Sequence, residues 1–172
     1  MKQQPVIGIL MGSDSDYDVM VEAAKVLKSF DVPFEMIVSS AHRSPQRTAE
    51  YASTAISRGV KALIVGAGAA AHLAGVLASE TTLPIIGVPI DSSALKGMDA
   101  LLATVQMPGG IPVATMAIGK AGAKNAGIFA VQLLALSDAA LAEKLVVSRQ
   151  EMAQGVADKS DKLQQRLAAD GL

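Results

Sequence analysis

The chain has 172 residues, long enough for one domain to bury most of the surface of its unfolded form, and 15 basic against 16 acidic residues leave a formal charge of −1. No run of Lys or Arg is long enough for a nucleic-acid or anionic-membrane footprint, so a small-molecule partner is expected. Cysteine is absent, which excludes disulfides, zinc-thiolate sites and a thiol nucleophile.

The first ten residues, MKQQPVIGIL, run straight into an apolar stretch too short for an export signal, and a cytoplasmic protein is expected. Strands are predicted at 5–11 (PVIGILM), 33–38 (PFEMIV), 61–65 (KALIV), 85–88 (IIGV) and 112–117 (PVATMA). Helical periods fall between them, at 15–30, 45–58, 70–80, 97–106 and 121–136. The first helix places Val19, Ala23, Val26, Leu27 and Phe30 on one face. Pro45 suits a first helical position and Gly59 a helix stop, so both ends of the second helix are marked. Beyond residue 137 apolar residues recur at Leu141, Leu145, Met152, Val156, Leu163 and Leu167, the pattern of a long amphipathic helix ending near Gly171.

Alternating strands and helices predict an α/β protein: a three-layer α/β/α sandwich of flavodoxin-like order, with a five-stranded parallel sheet and a long C-terminal helix. One domain is expected, with its core in 1–136 and the terminal helix, 137–172, packing on a neighbouring subunit. Residues 62–79 carry no formal charge over a membrane-spanning length. His72 near their centre, the GAG interruption and the change from Leu-Ile-Val to Ala read better as strand, glycine turn and buried helix, so no membrane partner is expected. Hydrophobic residues make up 51% of the chain and aromatics 3%. Such a composition lets helices pack closely and predicts that part of the exterior is covered in an oligomer.

In an open parallel sheet ligands bind beyond the carboxyl ends of the strands, so the loops there hold the candidate site. The first, GSDSD at 12–16, caps a helix or, with Ser13, Ser15 and free amides, binds an anion; Asp16 suits sugar hydroxyls. The second, SSAHRSP at 39–45, holds Ser40, His42 and Arg43. Arg43 offers a fork of donors matching phosphate, and Ser44 is expected to cap the following helix. That leaves His42 as a candidate acid/base, since an imidazole exchanges protons near neutral pH.

The third loop, GAGAAAH at 66–72, matches a dinucleotide fingerprint only loosely. Its glycines suit close approach of backbone, around Gly68 and Ala69, to a flat ligand. His72 reads as structural or as a support to the site. The segments PIDSS and QMPGGIP are rich in turn formers and either close over a ligand or turn the chain. IGKAG near residue 120 is not an ATP loop, and neither the histidines nor the carboxylates have metal-ligand spacing.

The ordered set MGSDSD, SSAHRSP, GAGAAAHLAG, GVP, QMPGGIPV and AIGKAGAKNA, covering most of the chain up to about residue 136, closely resembles the catalytic subunit of the 5-(carboxyamino)imidazole ribonucleotide mutase family of the bacterial purine pathway. The resemblance implies a homo-octamer with no metal or organic cofactor. It also implies a reaction, transfer of a carboxylate from the exocyclic nitrogen of 5-(carboxyamino)imidazole ribonucleotide to a ring carbon. By motif position it implies Ser13, Asp16 and Arg43 as nucleotide binders helped by Ser40, with His42 as the acid/base. Two departures stand out: Ala69 where many relatives have glycine, and Ser44 where threonine is common. The alternatives are a sister class that carboxylates aminoimidazole ribonucleotide directly with carbon dioxide, and a non-catalytic nucleotide-binding module.

Overall fold

The computed structural model describes residues 4–172; residues 1–3, the head of the segment read as lacking an export signal, lie outside the described residues. Five strands form one parallel sheet in the order β2-β1-β3-β4-β5, the expected flavodoxin-like order. They are β1 (Ile7–Met11), β2 (Phe34–Val38), β3 (Ala62–Gly68), β4 (Ile85–Ile90) and β5 (Ala114–Thr115). The helices are α1 (Tyr17–Ser29), α2 (Pro45–Ala55), α3 (Leu73–Glu80), α4 (Met98–Val105), α5 (Lys120–Ala135) and α6 (Ala139–Ala169). Strand β1 is central, its Ile7–Met11 paired with Phe34–Val38 on one side and with Ala62–Gly66 on the other.

Strands β1 and β4 are buried along their whole length, as is β3 from Ala62 to Gly66, because helices cover both faces. On one face Leu10, Leu63 and Val65 pack with Ala52 and Ala55 of α2 and Leu73, Ala74 and Leu77 of α3. On the other, a Cβ added to Gly66 would strike Met20 of α1, and one added to Gly127 of α5 would lie 2.8 Å from Cβ of Val26 and 3.0 Å from the Ala23 carbonyl. Glycine at 127 therefore lets α5 lie against α1. Ala23, Val26 and Leu27 of the predicted face are buried, but Met20 is fully buried with them while Val19 is only half-buried, so the buried face is rotated slightly from the predicted one.

Helix α2 ends at Ala55, short of the predicted 58, and Gly59, at φ +90, closes the turn that follows it, where the Val60 amide donates to the Ala55 carbonyl. Strand β5 has only two residues, shorter at both ends than the predicted 112–117; on its amino side Pro112 has no N–H to give to the ladder. No helix among the described residues is long and apolar enough to cross a membrane.

The chain divides into two compact units, one running through Leu133 and one from Leu134 to Leu172. In the second, Asp138 caps α6 by accepting hydrogen bonds from the Ala140 and Leu141 amides, and Gly171 at φ +74 follows its end. None of the 31 residues of α6 is buried. At the amino ends of β4 and β5 the first unit carries a groove of about 930 Å³, lined largely by apolar residues including Ile56, Leu83, Ile111 and Phe129.

Candidate functional site

At the opposite end, the loops leaving β1, β2, β3 and β4 enclose a cleft of about 460 Å³. It lies between β1 and β3, where the connections change direction, β1 to β2 running one way along the sheet and β2 to β3 running back past β1, the switch point at which an open α/β sheet leaves room for a ligand. The β1 loop contributes Gly12, Ser13, Ser15 and Asp16, and the β2 loop Ser40 to Arg43. The β3 segment contributes Ala67, Gly68 and Ala71 to Leu73, and the β4 loop Ser92.

In the β1 loop both readings of GSDSD meet in one structure. Asp14–Asp16 form a single 3₁₀ turn preceding α1, closed by a capping box: the Ser15 amide donates to Oγ of Ser13 and the Ser13 amide to Oδ2 of Asp16 at 3.2 Å. Asp16 is only 6% exposed. Burial, the largest influence, raises its pKa above the ordinary 3.8, against the Ser13 amide and Ser15 hydroxyl, which lower it. The Ser15 and Ser13 hydroxyls are 2.9 Å apart and exposed, held by the turn and open to the cleft.

The β2 loop differs from expectation at one point. Ser44 does not cap α2 with its side chain. Its hydroxyl donates back to the Ser40 carbonyl at 3.0 Å and accepts from the Ser40 amide at 3.2 Å, so it closes the turn that carries His42 and Arg43. Beneath that turn Ser39 and Thr48 share a buried hydrogen bond of 2.8 Å. Arg43 reaches across to the first loop: its Nη2 donates to the Gly12 carbonyl at 3.3 Å and its Nε to Oγ of Ser40 at 3.4 Å. Both bonds are long and exposed, geometry that a phosphate can replace with short charge-assisted ones.

The β3 loop turns through two alanines with left-handed backbone, Ala69 at φ +53 and Ala71 at φ +44. Ala69 therefore occupies a conformation that costs a residue with a Cβ about 1–2 kcal/mol. A Cβ on Gly68 would lie 1.8 Å from Oγ of Ser92, so glycine is what lets the β3 and β4 loops meet here. The loop delays α3, which starts at Leu73 and not near 70. His72 thus stands just outside the helix, exposed, with Nδ1 2.8 Å from Nε2 of His42.

Of the residues singled out from the sequence, Ser13, Ser15, Asp16, Ser40, His42, Arg43 and Gly68 all line this one cleft. Ala69 belongs to the same loop and shapes it without lining it. Ser92 is marked by the sequence only as part of the PIDSS segment; β4 runs to Ile90, two residues beyond the predicted strand, and so delivers Ser92 to the cleft. The segment QMPGGIP does not close over the cleft within its own chain, since Gly110, Ile111 and Pro112 line the apolar groove at the other end of the sheet.

Comparison with known proteins agrees with the geometry. The family model described as AIR carboxylase matches residues 6–155. A relative from Bacillus subtilis (strain 168), N5-carboxyaminoimidazole ribonucleotide mutase, is 55% identical over 160 residues, covering 93% of this chain and 99% of that protein. A protein of the same name from Pyrococcus horikoshii is 50% identical over 163 residues, covering 95% and 91%. Among solved structures, Treponema denticola PurE superposes with a TM-score of 0.83 at 26% identity, covering 92% of this chain and 98% of that one. The chain belongs to the AIR carboxylase family.

Proposed function

We infer that this chain is a mutase of de novo purine biosynthesis, moving the carboxylate of N5-carboxyaminoimidazole ribonucleotide from the exocyclic nitrogen to the ring carbon to give 4-carboxy-5-aminoimidazole ribonucleotide. The observation that carries this reading is the meeting of His42 and Arg43 with the Ser13–Asp16 turn in one cleft. Identity of about half to mutases over nearly the whole chain supports it.

The residues divide the work by their chemistry. Arg43 and the exposed Ser13 and Ser15 hydroxyls take the phosphate, with Ser40 holding the arginine. Asp16 accepts hydrogen bonds from the ribose hydroxyls, where a carboxylate beside a phosphate would be repelled. The backbone around Gly68 lies along the flat imidazole. His42 gives a proton to the exocyclic nitrogen as its bond to the carboxylate carbon breaks and carbon dioxide leaves. The ring carbon of the resulting amine then attacks that carbon dioxide, and His42 removes the proton from the newly carboxylated carbon. The first step leaves the imidazole neutral, the state the second requires. Carbon dioxide must stay in the cleft between the steps, which makes exclusion of water part of the mechanism.

Assembly into a homo-octamer belongs to the same reading. It is supported by an apolar stripe on α4, with Met98, Leu102 and Val105 each about half exposed, and by Met152, Val156 and Leu163 exposed on α6. We place the enzyme in the cytoplasm on its cysteine-free composition.

Steady-state assays with the carboxyamino substrate and with aminoimidazole ribonucleotide, each at low bicarbonate and followed by product ultraviolet absorbance, test the reaction. Turnover of the carboxyamino substrate without added bicarbonate is expected. Product formed only from aminoimidazole ribonucleotide and carbon dioxide would assign the direct carboxylase instead, and binding without turnover the non-catalytic module. Light scattering on the full chain and on a chain cut at about residue 137 tests assembly, with loss of the large particle expected on truncation.

A further inference from the structure

His72 has a neighbour that the sequence does not announce. Its Nδ1 lies 2.8 Å from Nε2 of His42, 30 residues away, with the ring planes at 84° and centroids 5.0 Å apart. At this distance one hydrogen lies between the two nitrogens, so one ring donates and the other accepts. The tautomers of the pair are therefore linked.

Two arrangements are available, and they differ in whether they survive the protonation of His42. With the hydrogen on Nδ1 of His72, Nε2 of His42 is the acceptor. When His42 becomes an imidazolium, both facing nitrogens carry hydrogen and the contact breaks. With the hydrogen of His72 on its Nε2, Nδ1 of His72 is a bare acceptor and Nε2–H of His42 donates to it. That bond persists when His42 is protonated and becomes charge-assisted, hence stronger. An acid/base passes through both states in every cycle, so only the second arrangement holds the ring still throughout.

The backbone fixes the acceptor in place. Ala71 is buried and its amide donates to the Gly68 carbonyl at 3.0 Å, closing a turn that includes left-handed Ala69 and Ala71, and the His72 carbonyl accepts the Val76 amide at 2.9 Å as α3 begins. Strained backbone of this kind is kept where a side chain must be aimed.

We propose that His72 is a positioning residue for the reaction: a neutral hydrogen-bond acceptor that holds His42 as its Nε2–H tautomer and leaves Nδ1 of His42 as the nitrogen that exchanges the proton. The role parallels that of the aspartate behind the histidine of a serine-hydrolase triad, except that the acceptor is uncharged. Orientation is retained and the electrostatic pull is smaller. The proposal rests on the reading of His42 as the acid/base.

The test uses nitrogen-15 NMR of the histidine side chains on the full-length protein, together with steady-state kinetics. The chain has only two histidines, so the single variants assign both. Wild-type His42 is expected as the Nε2–H tautomer, and His72→Leu should give a tautomer mixture. His72→Leu should lower kcat by about 10- to 100-fold with KM little changed, the scale on which a partner orienting a histidine acts and below the ~10²–10⁴-fold of an acid/base itself. His72→Asn, which keeps an acceptor oxygen at similar reach, should restore most of kcat. An Nδ1–H tautomer in the wild type overturns the proposal, even should the leucine variant fail to fold. So does His72→Leu with unchanged kcat alongside an inactive His42→Asn. Full turnover in His42→Asn would instead overturn the acid/base reading beneath it.

Discussion

The two concavities of the first unit sit at opposite ends of the same sheet and are built from opposite materials. At the amino ends the strands and helix termini leave a groove of about 930 Å³ walled by Ile56, Leu83, Ile111 and Phe129, with Glu80 its one ionisable lining residue. At the carboxyl ends a cleft of about 460 Å³, half the size, gathers two histidines, an arginine, an aspartate and four serines from four loops. Volume therefore does not mark the chemistry here; convergence of titratable groups does. The larger groove has the composition of a surface that another protein face covers, the smaller that of a site for a polar ligand.

The sharpest way to break this contrast is His42→Asn. Asparagine keeps a polar contact near the backbone and cannot titrate, so turnover should fall by about 10²–10⁴-fold while the melting temperature and much of the ribonucleotide affinity persist. A variant that melts early but keeps its activity per folded molecule would make His42 a structural residue. Next in size is the groove. Ile56 is 53% exposed in the isolated chain, so Ile56→Glu should change stability by no more than about 0.5 kcal/mol if the groove stays open to water. If a partner subunit covers it, the buried charge should dissociate the assembly, read as a fall in particle mass by light scattering.

Arg43→Ala comes third. It should weaken ribonucleotide binding by about 1.5–3 kcal/mol, the worth of hydrogen bonds to a charged group, and unchanged affinity in calorimetry would remove Arg43 from the site. Smaller still is Ala69→Gly, which relieves a left-handed alanine at the cost of a more flexible unfolded chain. A net gain of up to about 1 kcal/mol in denaturant unfolding is expected.

The smallest effect concerns Asp16. Its folded pKa is raised by burial, so the folded state holds its proton more tightly than the unfolded state does. The stability this group contributes is full below the ordinary pKa of 3.8 and is lost as pH rises through the folded value. Asp16→Asn should accordingly raise the melting temperature at neutral pH, with the gain shrinking to nothing below about pH 4, while ribose binding weakens. A gain that is constant with pH would mean that the carboxylate charge is not its source.

The polar cleft was more legible in the sequence than the groove. Loops at strand ends are short, carry their chemistry in adjacent residues and are placed by topology, so Ser13, Asp16, Ser40, His42 and Arg43 are legible together from the sequence. The strand order, the start of α2 at Pro45 and the turn closed by Gly59 after it followed from local rules in the same way. What stayed hidden depends on pairing across the fold. The left-handed turn at Ala69 and Ala71 displaced the start of α3, because alanine is a good helix former until tertiary contacts override it. The contact of His72 with His42 and the turn of Ser44 back to Ser40 are likewise invisible to periodicity, as is the gathering of 53–56, 78–85 and 110–114 around one groove.

The central place of β1 has a consequence for how the protein is made. As the chain leaves the ribosome, Ile7–Met11 find their first neighbour when Phe34–Val38 emerge, but the other edge of the strand must wait for Ala62–Gly66. Through that interval the apolar run IGILM offers unpaired amides and carbonyls to any extended segment nearby, the situation in which nascent α/β chains aggregate. The cleft itself cannot close until Ser92 has been synthesised, past the midpoint of the chain. A pause taken once Phe34–Val38 have left the ribosome but before Ala62–Gly66 have would prolong the vulnerable state, and a pause taken after both have emerged would leave it untouched.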